Sequence, residues 1–122
     1  MAKILVIDDE DMVRLTIRRT LEKLGHEVEE AENGRIGLEM QKANPADVII
    51  TDIIMPEQEG VETIIHLIKE NPDTKIIAVS GGGRIGATDY LAHAKKFGAA
   101  RVFEKPFDRK ELAAAVEELV SA

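Results

Sequence analysis

The stretch 3-KILVIDDED-11 runs from four apolar residues, Ile4 to Ile7, straight into four acidic ones, Asp8 to Asp11. An unbroken β-branched run with no polar alternation is the pattern of a strand covered on both faces, as in a parallel sheet. The acids next to it set a problem. Two carboxylates roughly 4 Å apart repel by about 4 kcal/mol at an effective dielectric of ~20. Solvent, a helix N-terminus or a cation has to offset that charge.

Three further runs resemble the first: "DVIIT" (47–51), "KIIAV" (75–79) and "RVFEK" (101–105). A weaker, alternating one, "EVEEA" (27–31), suits a sheet edge. Helical patterns lie between them. Val13, Ile17, Leu21 and Leu24 share helical spacing, and Gly25 supplies a stop. Asn33-Gly34 opens a second helix that ends near Asn44-Pro45. Val61, Ile64, Ile65 and Ile68 mark a third, stopped before Pro72. A less regular fourth covers roughly 85–97, with Ile85, Leu91, Ala94 and Phe97 facing inward and Gly98 ending it. The fifth carries the stripe Leu112, Val116, Leu119 and Val120, with Asp108 as N-cap and Glu111 as its capping-box partner. Five βα units joined by short links predict a doubly wound (βα)5 α/β domain with helices on both faces of a parallel sheet.

The 122 residues fit one domain, expected over 1–122 with no output domain. A chain of that length buries roughly two-thirds of its unfolded surface and needs no staples. It has no cysteine, which excludes disulfides, thiolate-bound zinc and thiol chemistry. The opening residues do not read as a signal peptide, because acids cut the apolar run short, and no apolar run approaches the length of a membrane span. The expected location is the cytoplasm. A net charge of −7, from 16 basic and 23 acidic residues, argues against direct nucleic-acid binding. An aromatic content of 3% argues against stacking on bases or flat cofactors.

Ligands of open α/β sheets bind beyond the carboxyl ends of the strands. Strand one delivers Asp8 and Asp9 there, strand three Asp52, strand four Ser80 followed by Gly81 to Gly83, and strand five Lys105 followed by Pro106. Strand two delivers nothing comparable. If strands one and three flank the switch point, three carboxylates meet in one pocket with a hydroxyl and an ammonium at its rim. Clustered hard oxygens suit Mg²⁺, which keeps several waters and takes one or two carboxylates directly. Mg²⁺, lysine and a hydroxyl are what a phosphoryl group needs around it, and a carboxylate held there can act as nucleophile.

With "DDE" (8–10), "DIIMP" (52–56) followed by Gly60, Ser80, and "FEKPF" (103–107) on the expected elements, the chain resembles the receiver domain of two-component response regulators over nearly its whole length. The resemblance implies a flavodoxin-like sheet of strand order 2-1-3-4-5. It implies that Asp52 accepts a phosphoryl group from a phosphohistidine on a sensor histidine kinase or phosphotransfer protein. It gives Asp9, Asp52 and the backbone carbonyl of Ile54 to Mg²⁺, with Asp8 near the metal or acting through water. Lys105 would pair with the phosphoryl oxygens, Ser80 would hydrogen-bond one of them, and Phe103 would be the aromatic that follows Ser80. The Lys105-Pro106 bond would be cis. The output would be a changed surface on the fourth helix, fifth strand and fifth helix, read by a downstream protein. The chain would be a switch rather than an enzyme with turnover, and a monomer when unphosphorylated. The sequence departs from the family at Glu57 and Glu59 and at Gly81, and three consecutive glycines imply a mobile switch loop. Ile54 and Gly82, at the two positions that bear on phosphoryl lifetime, have no group to orient water, which implies slow self-dephosphorylation.

Blander readings stand beside these. Asp8 or Asp9 alone reads as a helix cap. Gly81 to Gly83 alone is a flexible turn, since no Gly-Lys-Ser/Thr comes after it. Phe103 alone is core. His26, His66 and His93 read as surface or rim residues, and Met12, Met40 and Met55 as fillers of core or pocket-edge gaps. The main alternative function is a constitutive, non-switching protein-binding module, against which an intact Asp9, Asp52, Ser80 and Lys105 count. An aspartate-nucleophile phosphatase would want a second Asp where Ile54 stands. A flavodoxin-type carrier would want a Ser/Thr-rich loop where the acids of strand one stand.

Overall fold

The computed structural model describes residues 2–53, 60–80, 95–96 and 98–121. The apolar runs form five strands: β1 (Lys3–Ile7), β2 (Glu27–Ala31), β3 (Val48–Asp52), β4 (Lys75–Ser80) and β5 (Arg101–Glu104). They make one sheet in the order β2-β1-β3-β4-β5, and every neighbouring pair is parallel. This is the flavodoxin-like arrangement. All five residues of β3 are buried, whereas edge strand β2 buries only Val28 and Ala31, one in each core, so the expected alternation is not kept. β3 starts and ends one residue later than the apolar run suggested, so that Asp52 is its last residue.

Alternate side chains of the central strands feed two cores. Ile4 and Val6 of β1 pack with Ile17 and Leu21 of α1 (Asp11–Glu22) and with Leu112 and Val116 of the C-terminal helix (Arg109–Ser121). Leu5 and Ile7 pack with Ile64 and Leu67 of α3 (Gly60–Glu70), while Ile36 and Leu38 of α2 (Gly34–Ala43) lie against the same cluster. Helices therefore cover both faces, which keeps the strand backbones out of water and opens only the strand ends to a ligand.

Helix ends obey their local signals. Asn33 caps α2 by accepting the Ile36 N–H at 2.9 Å, and Asp108 accepts the Lys110 N–H at 2.7 Å at the start of the C-terminal helix. Gly25 closes the turn after α1 with φ +91°, a conformation that side chains resist. The fourth predicted helix, with Ile85, Leu91, Ala94 and Phe97, lies outside the described residues except for helical Lys95 and Lys96.

Four expectations need correction. Leu24 is exposed, because α1 ends at Glu22 and its spacing from Leu21 no longer falls on a helical face. Ile65 is exposed as well, since α3 turns Thr63, Ile64 and Leu67 inward. Met12 is exposed in the first turn of α1 and fills no gap. His26 is buried: its Nδ1 accepts the Ala2 N–H at 3.1 Å, so its Nε2 carries the proton that faces Glu117 Oε1 at 2.5 Å.

Gly37 is where α2 presses on β1. A Cβ built there would lie 2.4 Å from Ile7 Cδ1 and 2.7 Å from its Cγ1, and Ile7 is fully buried. Gly37→Ala gains up to about 1 kcal/mol of helix propensity but overpacks the core, which costs roughly 1–3 kcal/mol. Net destabilisation is expected, read as a lower urea midpoint with an unchanged denaturant slope.

Candidate phosphoryl and metal site

Register builds the site. Ile7 lies beside Thr51, so the next residues, Asp8 and Asp52, leave their strands side by side. Asp52 lies beside Val79, placing Ser80 one residue on, and Ser80 lies beside Glu104, placing Lys105 one further. The Lys105 N–H donates to the Ser80 carbonyl at 2.6 Å and extends that ladder past the end of β5. Residues as far apart in sequence as Asp8 and Lys105 are neighbours because the crossovers return every chain segment to the same edge of the sheet.

Asp8 and Asp52 are buried, while Asp9 and Glu10 face solvent. One carboxylate oxygen from each of the four lies within 4.8 Å of the other three. The Lys105 ammonium joins them, donating to Asp52 Oδ2 at 3.0 Å and Glu10 Oε1 at 3.1 Å and lying 2.9 Å from Asp8 Oδ2. Among the described residues the Lys105 ammonium meets three of these four carboxylates, so negative charge is in excess there. Burial pushes the Asp8 carboxyl up to about 6, against the opposing pull of the Lys105 and Glu10 N–H bonds, and the Asp52 charge adds to the rise. Burial alone would lower the Lys105 ammonium, but its bond to Asp8 and the charges of Asp52 and Asp8 outweigh that and hold it above its ordinary value.

Asp8 does not cap α1. The N-cap is Glu10, which makes no side-chain cap bond, and Asp8 Oδ1 instead accepts the Glu10 N–H at 2.8 Å. Ser80 is fully buried, and its Oγ has no hydrogen-bond partner among the described residues. A buried hydroxyl without a partner costs roughly 1–3 kcal/mol, so an acceptor arriving at the site has a donor waiting. Phe103 sits beside Val79 and packs, half-buried, against the α1 and C-terminal helix core. The Lys105-Pro106 bond is cis. Ile54, Gly81 to Gly83, Glu57, Glu59, His93 and Met55 lie outside the described residues.

Hard, anionic oxygens crowded at one strand edge fit a small divalent cation, and among the described residues the cluster is made of carboxylates, which suit such a cation better than a softer metal. Two contacts of the site escaped the sequence reading. Glu10 reaches Lys105, and Arg14 Nη1 donates to the Asp8 carbonyl at 2.5 Å. The second was within reach, because Arg14 follows Glu10 and Asp11 at i+4 and i+3 and so shares their face of α1.

Comparison with known proteins agrees with this geometry. The family described as response regulator receiver domain matches residues 4–117. The chain is 36% identical, over 98% of its length, to sensor kinase CckA of Brucella abortus, of which it spans 12%. It is 32% identical to chemotaxis protein CheY of Thermotoga maritima, with 96% of each chain covered. Among solved structures, response regulator TrrA of Thermotoga maritima, in complex with Mg²⁺-BeF, superposes with a TM-score of 0.86 at 31% identity, covering 98% of this chain and 99% of that one. Among the described residues no helix is long and apolar enough to cross a membrane. With the strand order, the acidic strand ends and the family match over residues 4–117 in agreement, the chain belongs to the response regulator receiver domains of two-component systems.

Proposed function

We propose that the chain is a phosphoryl-accepting switch in which Asp52 takes a phosphoryl group from a phosphohistidine on a sensor histidine kinase or phosphotransfer protein. The observation that carries this reading is the Lys105 ammonium held 2.9 Å from Asp8 and 3.0 Å from Asp52, at the same strand edge as a buried Ser80 hydroxyl with no partner among the described residues. A carboxylate oxygen of Asp52 attacks phosphorus. The phosphorus–nitrogen bond breaks, and its electron pair stays on the imidazole, which then takes a proton from water. Lys105 turns from Asp52 to the transferred oxygens, and Ser80 donates a hydrogen bond from its hydroxyl to one of them.

Asp9, Asp52 and the backbone carbonyl of Ile54 would hold Mg²⁺, with Asp8 beside it or reaching it through water, a role that fits the four converging carboxylates. Mg²⁺ bound there supplies positive charge that offsets both the carboxylates and the incoming phosphoryl oxygens. Movement of Ser80 toward the phosphoryl group leaves room for Phe103 to turn inward, and this carries the change to the surface of residues 85–97, β5 and the C-terminal helix, where a downstream protein binds. Hydrolysis of the aspartyl phosphate, catalysed by the same residues, resets the switch. Residues 1–122 act as one cytoplasmic receiver unit, monomeric until phosphorylated.

Incubation with acetyl phosphate and Mg²⁺, followed by intact-mass measurement, is expected to add one phosphoryl group per chain, and chelation of Mg²⁺ is expected to prevent it. Mass suits a chain that has no Trp to report by fluorescence. Absence of modification together with absence of Mg²⁺ binding would return the constitutive binding module to first place.

A further inference from the structure

We propose that Arg14 is a positioning residue of this site: it fixes the peptide in front of Asp9 and so aims the Asp9 carboxylate at the cation. The inference rests on the receiver reading of the site.

The four carboxylates are not held equally. Asp8 is tied by Lys105 at 2.9 Å and by the Glu10 N–H at 2.8 Å. Asp52 and Glu10 are tied by the same ammonium, at 3.0 and 3.1 Å. The Asp9 carboxylate is exposed, and neither a hydrogen bond nor an ion pair to it occurs among the described residues. Its direction is set by the backbone that carries it, and that backbone is clamped on both sides of Asp8. The Asp8 N–H donates to the Ala31 carbonyl of β2 at 3.1 Å, and the Asp8 carbonyl accepts from Arg14 Nη1 at 2.5 Å. That carbonyl shares its rigid plane with the Asp9 N–H, so holding it sets the angle at which the Asp9 side chain leaves the turn.

Arg14 is itself braced. Its Nε donates to Glu30 Oε1 at 3.1 Å and its Nη2 pairs with Asp11. The second oxygen of Glu30 accepts from Arg18 Nη1 at 2.7 Å, and Arg18 pairs with Glu22 at 3.2 Å. Only 12% of the Arg14 side chain is exposed, so it is not a solvated helix arginine with an incidental i,i+3 partner. A planar guanidinium serves a carbonyl and two carboxylates at once, which an ammonium on a flexible stem does not. Through Glu30 and Ala31, edge strand β2 acts on a site to which it contributes no ligand.

Partners one step behind a metal ligand change affinity about 10- to 100-fold when lost. Arg14→Lys and Arg14→Ala are each expected to raise the Mg²⁺ Kd about tenfold by calorimetric titration, while phosphoryl uptake from acetyl phosphate at saturating Mg²⁺ stays within about twofold of wild type. Action through Asp9 makes a second demand. In an Asp9→Asn background, adding Arg14→Lys should change the Mg²⁺ Kd by less than about twofold, because the two substitutions remove one effect. A merely structural arginine would lower the melting temperature without Mg²⁺ and leave Kd alone. A Kd in Arg14→Lys within about twofold of wild type overturns the inference, and so does an undiminished factor in the Asp9→Asn background. Wild-type protein that binds no Mg²⁺ and gains no phosphoryl mass would bring down the receiver reading itself, whereas unchanged variants of a responsive wild type bring down only the role of Arg14.

Discussion

Asp52→Asn is expected to abolish phosphoryl uptake from acetyl phosphate, with an initial rate lower by a factor on the order of 10³ or more, the scale on which enzymes lose activity when a nucleophile is removed. The amide keeps the shape of the carboxyl group and an oxygen that accepts from Lys105, so the fold and the 3.0 Å contact have no reason to change. What disappears is the anionic oxygen that attacks phosphorus. Neighbouring carboxylates are poor substitutes. Asp8 is buried and pinned by Lys105 and the Glu10 N–H, and its raised pKa means that it holds a proton more readily than an ordinary Asp. Asp9 and Glu10 stand in solvent, where water screens and solvates their charge, whereas Asp52 is buried beside the Lys105 ammonium. Intact mass after a fixed incubation separates the cases: one added phosphoryl group in wild type and essentially none in the variant. Uptake by the variant at the wild-type rate would move the nucleophile to another carboxylate of the cluster.

The strands were legible because continuous apolar runs such as Ile4–Ile7 and Ile76–Val79 have few other uses in a short α/β chain. The identity of the strand-end residues came with them, since a strand delivers whatever its last position holds. The faces of helices were less legible. Of the predicted stripe, Ile64 is buried and Ile68 packs against the core, but the buried face also takes in Thr63 and Leu67 and leaves Ile65 outside. Propensity and period do not distinguish two stripes about one residue apart. Burial of His26 was hidden for a different reason. Its partners, Ala2 and Glu117, lie 24 and 91 residues away, and only the folded sheet brings them to it. The same holds for Lys105 and its three carboxylates. Their convergence depends on the β2-β1-β3-β4-β5 order, which local patterns do not encode and which the family resemblance supplied. Arg14 lies between these extremes. Its helical face was readable, but its acceptor is a backbone carbonyl, and side-chain patterns carry no mark of that.

Asp8→Asn is expected to make the protein more stable at pH 7 without Mg²⁺, by about 1–3 kcal/mol, because the fold stores repulsion at this position. The sign comes from the titration of Asp8, whose carboxyl is raised from 3.8 to about 6 in the folded chain. Below about pH 3.8 it is protonated in both folded and unfolded states, and its contribution is neutral. Between about 3.8 and 6 the unfolded chain gives up the proton and the folded one keeps it, so stability falls as pH rises. Above about 6 the full cost is present, roughly 3 kcal/mol. Asn does not titrate, so the variant should lose this falling limb. That cost is already net of the attraction of Lys105 at 2.9 Å, so the gain falls below it only where the amide packs or hydrogen-bonds less well than a neutral carboxyl. Millimolar Mg²⁺ should reverse the order. Bound cation offsets the wild-type repulsion and stabilises the folded state by mass action, whereas a site with one carboxylate fewer gains less. Urea unfolding at pH 4 and pH 7, with and without Mg²⁺, reads all of these effects. A variant less stable than wild type at pH 7 without Mg²⁺ would mean that the Lys105–Asp8 pair outweighs the burial of the charge, and the acidic cluster would then be a net support of the fold rather than a strain held ready for a cation.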